Sequence, residues 1–277
     1  EMQRSLVGSE MCIRDSLISD ELGVKATKAL TKLDIDAALK VASDITEELS
    51  LNGDINVNLI SMRTNSDYTY KHSVNVAVLS VLTGIGIGLK KSILKELSAA
   101  GLLHDIGKLN LPLDLLEKAG PLSEEEYKTM KTHSELGYER LKENINISSK
   151  TKMCVYMHHE NVNGSGYPLG LRGDQIYMFA KIIHIADVYD AITSERPYKK
   201  AQSPKEAIEF LMNNAGKMFQ PEYVKAFITY IPVYPKGRNV ILSDGNVAVV
   251  VENRQYHTLY PVAVSYTHLR AHETTLH

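Results

Sequence analysis

Residues 92–108, SILKELSAAGLLHDIGK, carry the reading that decides the fold. Ser92 to Leu103 reads as a helix, and it ends on an adjacent histidine and aspartate, His104 and Asp105, with a cation at Lys108. Working outward toward the N-terminus, Asp67 to Leu82 reads as a helix buried on most sides and carries His72. Before it, Leu33 to Leu49 places Ile35, Leu39, Ala42, Ile45 and Leu49 near helical spacing, with Asp34 as N-cap. Asp54 to Met62 fits a further short helix.

Toward the C-terminus, Pro121-Leu-Ser-Glu-Glu-Glu opens a long helix with a Ser123/Glu126 capping box; it carries His133 and runs to about Glu143. Ser148 to His159 is another helix and ends on a histidine pair, His158 and His159. Asn163 to Gly173 holds four glycines and Pro168, which makes it a loop. Helix returns over Gln175 to Ser194, bearing His184 and Asp187, and again over Ser203 to Asn213 and Pro221 to Tyr230. After Pro232 the period becomes that of strands. Val240 to Ser243, Asp244-Gly245 and then Val247, Val249 and Val251 read as a hairpin with a primed turn, and Leu259 to Ala263 as a third strand. The expected architecture is mostly α: a helical bundle with a small C-terminal β-hairpin or three-stranded appendage.

Composition narrows the function. Lys and Arg number 31 against 33 Asp and Glu, a net charge of −2, so bulk positive charge does not hold this chain on nucleic acid. Two cysteines, Cys12 and Cys154, exclude a disulfide framework and suit a reducing, cytoplasmic setting. The longest apolar stretch, Val74 to Leu89, is interrupted by Asn75, Ser80 and Thr83 and is short for a bilayer span. No stretch reads as a signal peptide. Residues 1–16 and 264–277 resemble translated sequencing-adaptor sequence, lack core patterning and are set aside from fold reasoning. The remainder divides into an N-terminal helical segment (17–66), a main domain (67–232) and a β extension (233–263).

Histidine is the informative residue: six of the ten lie between His72 and His184. His72, His104, Asp105, His133, His158, His159 and Asp187 recur at about one ligand type per helix, so a bundle can direct them to one point. Imidazole nitrogen with carboxylate oxygen suits iron, manganese, zinc or nickel. Asp105 is the natural bridge between two ions, because a carboxylate has two oxygens and an imidazole cannot play that part. Lys108, four residues after His104, is expected on the same helical face, where it meets a phosphate oxygen. Cys154 reads as a small buried hydrophobe, and His184 as packing or support for a ligand rather than a ligand itself.

These residues carry a resemblance. His104-Asp-Ile-Gly-Lys108, His158-His-Glu160, Gly166-Tyr-Pro168 and Asp187-Val-Tyr-Asp-Ala-Ile-Thr-Ser-Glu-Arg196-Pro-Tyr-Lys199 together are similar to the HD-GYP family, a branch of the HD-domain metal phosphohydrolases, over roughly residues 67–231. The resemblance implies an HD-type helical bundle that hydrolyses cyclic di-GMP to linear pGpG, GMP or both. It places the metal ligands on His72, His104, Asp105, His133, His158, His159 and Asp187, and the family's lysine on Lys108. It puts Arg196 and Lys199 on the substrate phosphate and Tyr167 against a guanine or over the core. Two divalent ions, iron or manganese, are implied, with a bridging hydroxide as nucleophile; one ion takes His72, His104, Asp105 and Asp187, and the other takes Asp105, His133, His158 and His159. Asp190 is one turn after Asp187, placed to orient a ligand or to pair locally. The Gly-Tyr-Pro loop is a candidate contact for a diguanylate-cyclase-type or other signalling partner, and a homodimer is left open. A non-catalytic receptor and a hydrolase of another nucleotide stand as the alternatives.

Two departures matter. This chain reads HHENVNGSGYP, with Asn161 and Asn163 where the family often has Arg and Asp. Asn163 still suits a turn. The glutamate that in some members holds a third metal is Tyr68 here, so two metals are expected.

Overall fold

A computed structural model describes residues 24–26, 28–30, 34–51, 68–118, 120–194, 201–231, 234, 237, 239–253 and 260–265. From Ile35 onward the described residues form ten α-helices, α1 (Ile35–Leu51), α2 (Tyr68–Gly86), α3 (Lys91–Leu103), α4 (Leu113–Leu116), α5 (Glu124–Lys131), α6 (His133–Leu141), α7 (Ser149–Met157), α8 (Met178–Thr193), α9 (Pro204–Asn213) and α10 (Pro221–Tyr230), with 3₁₀ turns at Ile106–Asn110 and Gly173–Gln175. Three strands, β1 (Asn239–Ile241), β2 (Val247–Glu252) and β3 (Val262–Ser265), make one antiparallel sheet in the order β1-β2-β3. No described helix is long and apolar enough to cross a membrane.

The core follows from the apolar helices. α2 packs on α3, α8 and α10, and α3 also meets α1 and α7. Val76, Ala77, Leu82, Leu97, Leu103, Ile182, Ile183 and Phe227 are fully buried between them. Gly101 lets α3 approach α2 closely; a Cβ there would stand 2.8 Å from the Ala77 Cα. Helix starts obey the capping signals. Asp34 Oδ1 accepts from the Ala37 N–H at 3.0 Å, Ser123 and Glu126 form the reciprocal box, and Ser203 with Glu206 forms another ahead of Pro204.

Four expectations need correction. The long helix from Pro121 to Glu143 is two helices, α5 and α6, broken at Thr132. There the Thr132 N–H and hydroxyl both bond to the Thr129 carbonyl, at 3.1 and 2.7 Å, which tightens the turn and re-aims the chain at His133. Lys108 does not share a helical face with His104, because α3 ends at Leu103 and Lys108 sits in the 3₁₀ turn that follows. The hairpin is not a two-residue primed turn: Leu242 N–H bonds to Asn246 O and Gly245 N–H to Leu242 O, both at 2.9 Å, leaving a three-residue connection with Gly245 at φ +84°. The third strand is Val262–Ser265, so it pairs Val264 and Ser265 with Val249 and Ala248, two residues past the boundary drawn from sequence. Residues 1–16, Asp54–Met62 and 266–277 lie outside the described residues.

Candidate metal centre

The helix ends build the centre. His72 projects from the first turns of α2, His104 and Asp105 follow α3, His133 opens α6, His158 and His159 follow α7, and Asp187 lies on α8. The 3₁₀ turn after Asp105 lies directly against α6. Gly107 makes that possible, since a Cβ there would overlap the His133 carbonyl oxygen. His72, His104, Asp105, His133 and His158 are all buried.

The tautomers are fixed by the backbone. His104 Nδ1 lies 2.7 Å from the Gly101 carbonyl, His133 Nδ1 2.7 Å from the Met130 carbonyl, and His158 Nδ1 2.8 Å from the Val155 carbonyl. A carbonyl only accepts, so each Nδ1 donates its hydrogen, and each neutral ring is left with a bare lone pair on Nε2. On His72 the same part is played by Asp190, whose Oδ2 accepts from Nδ1 at 2.7 Å while its Oδ1 takes the Asn75 side-chain N–H at 2.7 Å.

Those Nε2 atoms converge. His133 Nε2 stands 3.2 Å from His158 Nε2 and 3.1 Å from His159 Nε2. The bare lone pairs of His133 and His158 repel at that distance unless a positive charge lies between them. Asp105 faces two groups with its two oxygens. Oδ1 is 3.4 Å from His133 Nε2 and 3.8 Å from His158 Nε2. Oδ2 is 3.3 Å from His104 Nε2 and 3.7 Å from His72 Nε2, and Asp187 Oδ1 approaches His72 Nε2 at 3.1 Å. Ligands ~2.1 Å from a shared ion stand roughly 3.0–3.4 Å apart at octahedral or tetrahedral angles. Donor atoms from Asp105, His133, His158 and His159 lie within 4.8 Å of one another, as do those from His72, His104 and Asp187. His104 Nε2 and Asp105 Oδ1 are buried and make no hydrogen bond among the described residues. Orphaned acceptors of this kind are costly in a dry interior and are satisfied by cations. The residues present therefore fit two divalent ions, with Asp105 between them.

Electrostatics agree with that chemistry at His133, His158 and His159, whereas His72 is held as a cation between two carboxylates. Burial, reinforced by neighbouring imidazoles, holds His158 well below its ordinary pKa. Burial likewise lowers His133 and His159. These rings are neutral ligands near pH 7. Burial would raise Asp105, but Lys108 and His104 overcome it and hold the carboxyl well below its usual range. Burial lowers His72, yet its bonds to Asp187 and Asp190 outweigh that and carry it up to about 9. Lys108 reaches Asp105 Oδ2 at 2.5 Å from the 3₁₀ turn.

Beside these residues lies a cavity of about 580 Å³. Tyr167 lines it, with its ring stacked on His159 at 4.7 Å between centroids. His184 is in neither ligand group of the pair; its Nε2 lies 3.1 Å from Asn161 Oδ1, and with His159 and Asp187 it forms a third cluster on the cavity side. Asn163 Oδ1 accepts from the Ser165 N–H at 3.0 Å and its hydroxyl at 2.7 Å, the expected turn. Arg196 and Lys199 lie outside the described residues. Cys154 is buried, and burial raises its thiol pKa.

Two residues escaped the sequence reading. Glu160 is buried and accepts from the Leu169, Gly170 and Leu171 N–H groups at 2.6, 3.1 and 2.9 Å, so it fixes the loop after Gly-Tyr-Pro. An acid next to a ligand pair, ahead of a glycine-rich loop, was its only signal. Asn75, which anchors Asp190, was visible as a polar break in the apolar run of α2.

Comparison with known proteins gives the lineage. A family model described as HD domain matches residues 55–223, more than half of the chain. The chain is 36% identical over 224 residues to the cyclic di-GMP phosphodiesterase PA4108 of Pseudomonas aeruginosa, covering 79% of this chain and 54% of that protein. It is 37% identical over 153 residues to 3'3'-cGAMP-specific phosphodiesterase 1 of Vibrio cholerae, covering 54% of this chain and 35% of the relative. The chain thus spans about half or less of the length of these relatives. In fold it is similar to Bd1817, an HDGYP-type protein from Bdellovibrio bacteriovorus, with a TM-score of 0.62 at 19% identity over 75% of this chain and 68% of that one. With that model matched over residues 55–223, the chain belongs to the HD domain family.

Proposed function

We propose that the chain is a metal-dependent phosphodiesterase that opens cyclic di-GMP to linear pGpG, with GMP as a further product, and that its ions are iron or manganese. The observation that carries this reading is the set of facing Nε2 lone pairs around a two-faced carboxylate, Asp105. Two divalent cations held there would supply a water of lowered pKa, neutralise phosphoryl oxygens and align attack.

The chain's own groups do the rest. Asp105 orders both halves of the site through its two oxygens. His104, His133 and His158 stay neutral and correctly turned because their Nδ1 hydrogens are spent on backbone carbonyls. Lys108 places a positive charge 2.5 Å from Asp105 Oδ2, next to where charge builds on phosphorus. In the reaction, the water oxygen bonds to phosphorus, the bond from phosphorus to the ribose 3′ oxygen breaks, and a proton ends on that leaving oxygen. Arg196 and Lys199 are assigned to the distal phosphate on the motif they match. Tyr167 covers His159 and lines the cavity. The relatives' names for cyclic di-GMP and 3'3'-cGAMP phosphodiesterases support the substrate class.

The experiment is incubation of Mn²⁺- or anaerobically Fe²⁺-loaded protein with cyclic di-GMP and separation of products. Appearance of pGpG is expected. Binding without turnover would favour a receptor instead.

A further inference from the structure

We propose that the cavity beside the metal centre is a purine-base pocket that admits guanine and adenine alike, read by Gln202, so that the chain also cleaves cyclic dinucleotides containing adenine. The substrate class rests on the phosphodiesterase reading above; the base preference rests on the cavity.

The cavity's volume, about 580 Å³, falls in the range that holds small ligands. His159 and Asp187 form its metal end, and Val188, Ala191, Ile192, Phe210 and Met218 give it an apolar wall. A phosphodiester at the metal end directs its ribose and base toward that wall, where the faces of a flat heterocycle find apolar contact. Specificity must then come from the polar groups at the edge.

Those groups are mostly committed. Asn161 spends its oxygen on His184 and its nitrogen on Ser165 Oγ, at 3.1 and 3.0 Å. Ser165 Oγ donates to Asn163 Oδ1 at 2.7 Å. Asp187, the lining carboxylate, faces His72 at 3.1 Å. Gln202 differs. Its backbone N–H is tied to the Ile192 carbonyl at 3.0 Å, at the end of α8, while its carboxamide makes no hydrogen bond among the described residues.

A carboxamide is an adaptable reader. Guanine presents an O6 acceptor beside an N1–H donor; adenine presents an N6 donor beside an N1 acceptor. Gln202 carries one acceptor and two donors on one rotatable plane, so a half turn matches either edge. The hydroxyl of Tyr127, also on the lining, is both donor and acceptor. A carboxylate against N1–H and the 2-amino group would select guanine, and no unengaged carboxylate lines the cavity among the described residues.

The test uses 3′,3′-cyclic GMP-AMP, whose two phosphodiesters are not equivalent. Opening one gives pGpA and opening the other gives pApG. Metal-loaded wild-type protein is expected to give both isomers within about tenfold of each other. Gln202→Glu supplies a carboxylate that accepts from guanine and repels the adenine N1 lone pair, so one isomer should come to dominate by roughly tenfold or more. Gln202 is exposed, so the variant folds, and the isomer ratio is internal to each reaction. A single isomer from wild-type protein, or an unchanged ratio in Gln202→Glu, would overturn the inference. If nothing is cleaved, equilibrium binding carries the same comparison. Similar affinities for cyclic di-GMP and cyclic di-AMP, split at least tenfold by Gln202→Glu, would sink the hydrolase reading and keep the base pocket. Failure to bind either would overturn both.

Discussion

In the metal centre, His104, His133 and His158 are each pinned by a backbone carbonyl three residues earlier. In the loop that follows His159 the dependence runs the other way: Glu160 pins three successive backbone N–H groups, and Asn161 and Asn163 brace the turn through side chains. The first arrangement is rigid because helices supply it, and it leaves lone pairs with one purpose. The second leaves the loop's geometry to a few side chains and leaves Gln202 open beside it. Cation chemistry needs the first kind of order, whereas choice among substrates tolerates the second.

Substitutions separate the two regions. Asp105→Ala removes the shared oxygens and should cost about 10³-fold or more in turnover of cyclic di-GMP, together with metal content; full activity would break the bridging role. Glu160→Ala strands three N–H groups. A loss of about 3 kcal/mol in urea unfolding is expected, with the metals retained; metal loss from this variant would merge the regions that the comparison separates. Asp190→Asn weakens the bond that turns His72 and should lower metal affinity by roughly 10–100-fold, measured by chelator competition, with little change in fold.

How much of this was legible in the sequence depends on range. Capping at Asp34, Ser123 and Ser203 is local chemistry, and the helices begin where those residues place them. The convergence of the candidate donors was legible because donors spaced one per helix have few other ways to satisfy themselves; His72 and His133, far apart along the chain, both face Asp105, and Asp187 faces His72. The break at Thr132 was not legible, since the capping box and helical period continue across it and the 3₁₀ turn bearing Gly107 packs there only in the folded chain. Lys108 was assigned to the right neighbourhood on a helical argument that fails, because α3 stops before it. Glu160 was invisible because its partners are backbone groups nine to eleven residues on, which side-chain patterns do not report.

The most direct test is elemental analysis of anaerobically purified, desalted protein, alone and as Asp105→Ala. Two transition-metal ions per chain, falling below one in the variant, are predicted from the facing Nε2 atoms and the two-faced Asp105. Protein that folds normally yet retains no stoichiometric metal would contradict the account.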